Sequence, residues 1–278
     1  MPGLNVPMKP LADATYQGAG KRIPHRWSQP TGTAAKHYNL AFKEGDHAAT
    51  PDPTSYLRPA STNRLHVRQA EIIGGKLKEF AHQMLDAFEQ AHELWRQQAA
   101  FQGITIAGPL AMGSQGCLVG PQLYPTIVQL SYPQASHNLL HWRDAVARGL
   151  SESFELWQQG VTVPGLPWYP LFALFPTPPV APPMPNVPTP LSTCSSSAMD
   201  RMTAPGLEAA MLQNFSMDDT DGRFATMARA IGTAVATSFS AWLSTQQVML
   251  VMGTGPVPVA PGPVVAGVSL PGSGHLSA

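Results

Sequence analysis

Two histidines are the first residues in the sequence whose type and spacing could support metal chemistry. His137 and His141 stand four positions apart in HNLLH, which places both imidazoles on one face of a helix. A zinc site needs a further ligand, and no carboxylate accompanies the pair as it does in an HExxH motif. Polar residues at the start of a helix explain the pair without a metal. A zinc-dependent enzyme built on the two histidines is the alternative.

A short acidic cluster, DDTDG at 218–222, superficially resembles a calcium-binding loop. With its glycine aligned to the invariant glycine of that loop, Met217 occupies the first ligand position and Ala228 the twelfth. Neither side chain can bind calcium, so the pattern fails. Capping of a helix N-terminus by Asp219 or Asp221 explains the cluster better.

The two cysteines, Cys117 and Cys194, lie far apart in Gly- and Ser-rich surroundings. They provide neither a zinc-ligand spacing nor a disulfide framework. We expect two free thiols in a reducing compartment, with a single bridge as the alternative.

Motifs for nucleophilic catalysis and for phosphate binding are missing from the sequence. It contains no GxSxG elbow, no GxxxxGK loop and no GxGxxG after a strand. The 17 acidic residues form no evident catalytic pair. The sequence therefore predicts no catalytic residues, no cofactor and no metal, and a protein that is not an enzyme.

The composition also excludes several classes of protein. Among 278 residues, Lys plus Arg and Asp plus Glu both number 17, and charged residues make up 12%, roughly half the usual share. The 29 prolines and 24 glycines exclude a long coiled coil and disfavour a compact catalytic α/β domain. The zero net charge excludes a strongly basic nucleic-acid binder.

The charges are unevenly distributed along the chain. Residues 1–150 contain 14 basic and 10 acidic residues, whereas residues 151–278 contain 3 and 7. From Ala230 to Ala278 there is no Asp, Glu, Lys or Arg. Since a free surface normally carries roughly a quarter to a third charged residues, we expect this last fifth to be covered by copies of the chain, other proteins or lipid.

Three helices are predicted behind an extended N-terminal arm at 1–63, where eight prolines prevent a long helix. Apolar residues at three- and four-residue spacing predict helices over about 63–98, 137–159 and about 219–247. Within the arm, Lys21, Arg22, His25, Arg26 and Trp27 form a basic and aromatic cluster. We interpret it as a segment docked on an acidic neighbour rather than as a specific nucleic-acid site.

Each predicted helix closes on a tryptophan, namely Trp95, Trp157 and Trp242, followed by a polar linker, a short apolar strand and a Gly/Pro segment. The pattern predicts an α+β fold of helices with short β-arms and three degenerate helix–Trp–strand repeats. The predicted units span 64–135, 136–200 and 201–278. Such a unit cannot bury its apolar face alone, so these three tryptophans are candidate partner-binding residues.

Residues 164–191 are both proline-rich and strongly apolar, which predicts an extended backbone lying in a groove of another subunit. The candidate partner-binding residues here are Trp168, Tyr169, Phe172 and Phe175. The uncharged tail at 253–278 has similar character and is predicted to be a second extended arm.

Low charge, the three Pro/Gly-rich arms and short helices together resemble the structural proteins of tailed bacteriophages and contractile injection particles. The resemblance implies a virion subunit of the tail, baseplate or neck, assembled in the host cytoplasm and joined to copies of itself and to other particle proteins by arm exchange. A minor capsid or cement protein is the alternative within the particle.

A membrane-associated or pore-forming protein is the alternative from another class. The stretch 230–251 is uncharged, but it contains many Ser, Thr and Gln residues, and glycines and prolines follow it directly. These features disfavour a helix crossing about 30 Å of hydrocarbon. We therefore predict that the chain does not insert into a membrane.

Overall fold

Helices alternate with short strands along the chain in a computed structural model, which describes residues 4, 6–18, 64–132, 137–168, 180–219, 222–258 and 262–277. The mixed α+β class is thus confirmed. The six described α-helices are α1 (Met8–Gly18), α2 (Arg64–Gln98), α3 (Tyr124–Leu130), α4 (His137–Gly160), α5 (Ala204–Gln213) and α6 (Arg223–Thr245).

The three long helices α2, α4 and α6 confirm the three predicted from hydrophobic spacing. In α2 the apolar residues that recur every three or four positions, such as Phe80, Met84 and Phe88, are buried. Helix α6 begins four residues later than predicted, because Asp219 lies outside it and caps it. The Asp219 carboxylate accepts hydrogen bonds from the backbone N–H groups of Arg223, Phe224 and Ala225, at 2.8, 3.1 and 2.9 Å.

The prediction of an extended arm over 1–63 is wrong for residues 8–18, which form α1. Pro10 lies in the first turn of this helix, where a missing backbone N–H costs nothing. Met8, Ala12 and Tyr16 recur at four-residue spacing and are buried. Salt bridges from Lys9 to Asp86 (2.8 Å) on α2 and from Lys78 on α2 to Asp13 of α1 (2.9 Å) hold α1 antiparallel to α2. Residues 19–63, with the basic and aromatic cluster, lie outside the described residues.

The strands form three antiparallel sheets. Their bounds are β1 (Ala100–Phe101), β2 (Thr105–Ala107), β3 (Leu110–Gly113), β4 (Leu118–Val119), β5 (Val161–Pro167), β6 (Val180–Met184), β7 (Thr189–Pro190), β8 (Ser195–Ser196), β9 (Gln247–Met249), β10 (Gly253–Pro256), β11 (Gly267–Ser269) and β12 (His275–Ser277). The large sheet has the order β6-β10-β11-β2-β3-β5-β8, and the smaller ones are β12-β9-β7 and β1-β4. Strands from all three predicted units therefore share one sheet.

The large sheet is strongly curved. The chain just after β6 returns to the end of β5, where Val187 donates its backbone N–H to the carbonyl of Pro167 at 3.0 Å. Trp168, directly after β5, lies over Gly253 of β10, where an added Cβ would come within 2.9 Å of the indole. Glycine at 253 thus allows the sheet to close around Trp168 and Ile106.

The two segments predicted to be extended arms are, where described, parts of the chain's own sheets. Residues 164–168 and 180–190 contribute to β5, β6 and β7, and the tail at 253–277 forms β10, β11 and β12. Buried side chains of Val257, Val264 and Leu276 anchor the tail in the core. The tail is extended, as predicted, but its described residues pair within the chain; the sequence did not show this because the hydrogen-bonding partners are distant and leave no local pattern.

Helix α5 packs closely between α4 and α6. A Cβ added at Gly149 of α4 would lie 2.6 Å from the backbone nitrogen of Met211 on α5. On the other side of α5, a Cβ at Gly232 of α6 would lie 3.1 Å from the carbonyl oxygen of Ala204. Glycine at both positions lets the helix backbones approach one another, which forms the helical layer next to the curved sheet.

Candidate partner-binding surfaces

The three tryptophans predicted to contact a partner instead meet inside the chain. Trp95, Trp157 and Trp242 are almost completely buried, and their ring centroids are 6.2, 6.1 and 6.3 Å apart in the three pairs. Each stands three residues before the last residue of its helix. The equivalent position in three helices thus builds one aromatic core, and these indoles have no surface left for a partner.

A histidine completes this aromatic core. His92, Phe154 and Phe239 each stand three residues before one of the tryptophans, and the ring of His92 lies 4.5 Å from that of Trp242. His92 is fully buried, and neither of its ring nitrogens has a hydrogen-bond partner among the described residues. Burial lowers the pKa of His92 to about 3, so the imidazole is neutral at physiological pH.

Trp168 also proves to be a core residue, 3% exposed, whose indole fills the curved sheet. Its backbone N–H donates to the carbonyl of Pro109 at 2.6 Å, which fixes the end of β5 against β3. The other candidate residues of this segment, Tyr169, Phe172 and Phe175, lie outside the described residues. Their predicted role in partner binding therefore stays a prediction.

The surface feature with the clearest binding character is the outer face of the large sheet. A row of cross-strand pairs runs from Thr254 to Val268, from Val268 to Thr105 and from Thr105 to Met112. Beside it, Leu110 pairs with Ala107 and with Pro167. Val268, Leu110 and Met112 are 54%, 43% and 42% exposed. We call the outward residues of these two rows the sheet face: Thr254, Val268, Thr105, Met112, Ala107, Leu110 and Pro167.

The sheet face carries no ionisable side chain, and neither do the strands around it. None of the twelve described strands contains Asp, Glu, Lys or Arg, and His275 of β12 is their one histidine. The sequence has three runs without these five residue types, at 97–136, 156–199 and 230–274. The fold collects strands from all three runs into the large sheet, whereas the described charged residues lie on the helices and on the turns beside them.

A groove on the helical layer, lined mostly by apolar side chains, is a second surface feature. Its volume is about 480 Å³, and its walls come from Leu77 and Phe80 of α2, Tyr132, and Leu139 and Trp142 of α4. The rings of Phe80 and Tyr132 are stacked at 5.7 Å, and burial raises the pKa of Tyr132 to about 12. Lys76 and Glu79 of α2 line the groove as well, so its wall is apolar with two charged side chains on one helix.

The histidine pair and the two cysteines are the remaining candidates for chemistry. No three His, Cys, Asp or Glu side chains of the described residues are close enough to hold a metal ion, but the side chain of His137 lies outside them, so the absence of a metal site stays a prediction. His141 lies 3.4 Å from the hydroxyl of Ser216. Cys117 and Cys194 are free and buried, and burial raises the pKa of Cys194 to about 11 and that of Cys117 above its usual range. Both thiols are therefore protonated and weakly nucleophilic at neutral pH.

Sequence reasoning found the charge-free tail but missed the sheet face. The signal was present, because the tail overlaps the last of the three charge-free runs and the other two, at 97–136 and 156–199, are nearly as long. What the sequence could not show is that residues from these runs pair across one sheet and point outward together.

None of the described helices has the length and hydropathy needed to span a bilayer. Compared with known proteins, the chain matches no family model, no curated protein and no solved structure.

Proposed function

We propose that this chain is a non-enzymatic structural subunit of a large assembly, and specifically a virion component of the tail, baseplate or neck of a tailed bacteriophage. A minor capsid or cement protein is the alternative position in such a particle. The partners would be copies of the chain and other particle proteins, met during assembly in the host cytoplasm.

The sheet face is the observation that carries this proposal. A soluble surface normally carries roughly a quarter to a third charged residues, and contiguous exposed apolar surface usually marks an interface. Here Val268, Met112 and Leu110 stand exposed on a face without a single charge. A permanent subunit of an assembly can tolerate an uncharged, apolar face, because a neighbouring subunit covers that face in the particle.

The mechanism under this proposal is mechanical. The helical layer, with its closely packed α4, α5 and α6, acts as a rigid body. The sheet face joins that body to its neighbours, so the assembly contact lies on folded structure and not only on extended arms. Its free energy comes from removing apolar surface from water.

Particle incorporation tests the proposal. Cells in which the particle forms would produce either the unchanged chain or Val268→Lys, each with the same short tag, and particles would be purified on a density gradient. Quantitative mass spectrometry then gives the copy number of each form per particle. We expect stoichiometric incorporation of the unchanged chain. The copy number of Val268→Lys per particle should be lower by roughly tenfold or more, because assembly would bury an unpaired charge.

Leu212→Lys is the matched control. Leu212 is 38% exposed and lies on helix α5, which is not part of the large sheet. The substitution adds the same charge to an exposed apolar position of the helical layer. Full incorporation of Leu212→Lys is expected. Recovery of the unchanged chain only in the soluble fraction, with none in purified particles, would refute the structural role.

A further inference from the structure

We propose that the sheet face packs against the sheet face of a second copy of this chain, forming a symmetric dimer. This inference rests on the proposed function in one respect, namely that the sheet face is an interface. It adds that the partner is a second copy of the chain. The dimer can exist or fail to exist whatever particle the chain belongs to.

The edges of the large sheet restrict how a partner can bind. Edge strand β6 contains Pro182 and Pro183, which have no backbone N–H to offer a new strand. The opposite edge, β8, has only two residues, Ser195 and Ser196. Strand addition at either edge is therefore disfavoured, which favours a partner that lies across the face.

The chemistry of the face selects the partner. An acidic or basic surface would gain no complementary charge here and would lose its own hydration. The matching surface is itself apolar and uncharged. The sheet face of another copy has that character, and a two-fold axis brings it onto itself.

The sizes of the side chains on the sheet face are compatible with face-to-face packing of two copies. Along the first row, the small Thr105 stands between the larger Met112 and Val268. Along the second, Leu110 stands between Ala107 and Pro167. Two sheets that pack about 10 Å apart interdigitate their side chains, and alternating large and small residues allow this across a two-fold axis.

The size of the face predicts the strength of the contact. The face takes its residues from five strands, which at about 4.8 Å apart span about 19 Å, and strands averaging about four residues are about 13 Å long. The footprint is thus about 250 Å², about a third of what each partner contributes to a standard stable complex. The dimer is expected to have a dissociation constant in the micromolar range and to form and dissociate with concentration.

Sedimentation equilibrium of the full chain over a range of about 1 to 300 μM tests the proposal. The unchanged chain should pass from 29.7 kDa to twice that mass. Met112→Lys and Val268→Lys should each weaken the dimer roughly 100-fold, because the contact would bury unpaired lysines. Leu212→Lys should leave the dissociation constant within about twofold of the unchanged chain's. Circular dichroism of each variant establishes that it is folded.

A crosslink gives a second, position-specific readout. Val268 lies near the middle of the first row, so Val268→Cys should form a disulfide between copies on mild oxidation, whereas Leu212→Cys should not. A monomer at every concentration would overturn the proposal, as would a dimer that Leu212→Lys weakens and Val268→Lys does not. Binding of the unchanged chain to phosphatidylcholine vesicles without dimerisation would assign the face to lipid and likewise overturn it.

Discussion

Replacing His92 with phenylalanine should remove one defined part of the acid sensitivity of the fold. In the folded chain burial holds the pKa of His92 at about 3, whereas an exposed histidine in the unfolded chain has a pKa of about 6.5. Between these values the unfolded state binds a proton that the folded state does not. Stability that is complete above about pH 6.5 is therefore lost as the pH falls towards 3.

The magnitude follows from the two pKa values. Each pH unit in this window costs about 1.4 kcal/mol, so the fall from pH 7.5 to pH 5 should cost the unchanged chain about 2 kcal/mol through His92 alone. The nearest charges, Glu93 and Arg96, oppose each other in their effect on the pKa of His92, and burial outweighs both.

Urea unfolding at several pH values between 7.5 and 5 measures this directly. The unfolding free energy of His92→Phe should fall by about 2 kcal/mol less than that of the unchanged chain over this range. His82→Gln is the matched control, because it removes a partly exposed imidazole that contacts Asp13 at the surface. Equal pH slopes for the unchanged chain and His92→Phe would refute the reasoning, whatever the absolute stability of the variant.

Three further substitutions test the packing and capping described above, each measured by urea unfolding at pH 7.5. Gly149→Ala should cost about 1–3 kcal/mol because its Cβ meets the backbone of α5, whereas Gly75→Ala, in open space on α2, should stabilise by up to about 1 kcal/mol. A stable Gly149→Ala would contradict the close approach of α4 and α5. Asp219→Ala should cost about 1–2 kcal/mol through loss of three bonds at the start of α6, and its neighbour Asp218→Ala should change little. Asn186→Ala should cost about 2–3 kcal/mol, since the buried amide donates to the carbonyl of Val248 and accepts from the N–H of Val251. A loss under about 0.5 kcal/mol, which is the usual range for surface substitutions, would contradict that role.

The helices were predictable because their signal is local. Residues such as Phe80, Met84 and Phe88 recur at helical spacing inside one continuous stretch, and the predicted bounds of α2 agree with the structure within one residue. Helix α1 was missed because its prolines were weighed without regard to position. Pro10 is compatible with a helix when it falls in the first turn.

The site was less predictable, because it depends on pairing between distant residues. The Trp pattern correctly singled out Trp95, Trp157 and Trp242, but spacing alone cannot distinguish a residue buried within one chain from one buried between chains. Strands β1 and β9, which follow α2 and α6, have only two and three residues, too few for an alternating pattern to identify their outward side. Thr105 and Val268 become neighbours only through a pairing that the sequence does not encode locally.

The order of strands in the large sheet has a consequence for how the protein is made. Strand β2 pairs with β11, although Thr105 and Val268 are separated by more than 160 positions in the chain. At a synthesis rate of about 5–20 residues per second, β2 waits roughly 8–30 seconds for its neighbour to emerge from the ribosome. During that interval the side of β2 that pairs with β11 has no partner and carries no charge, and unpaired strand edges of this kind promote aggregation of nascent chains. Production of the protein should therefore depend on chaperones that cover such an edge, more than its final stability would suggest.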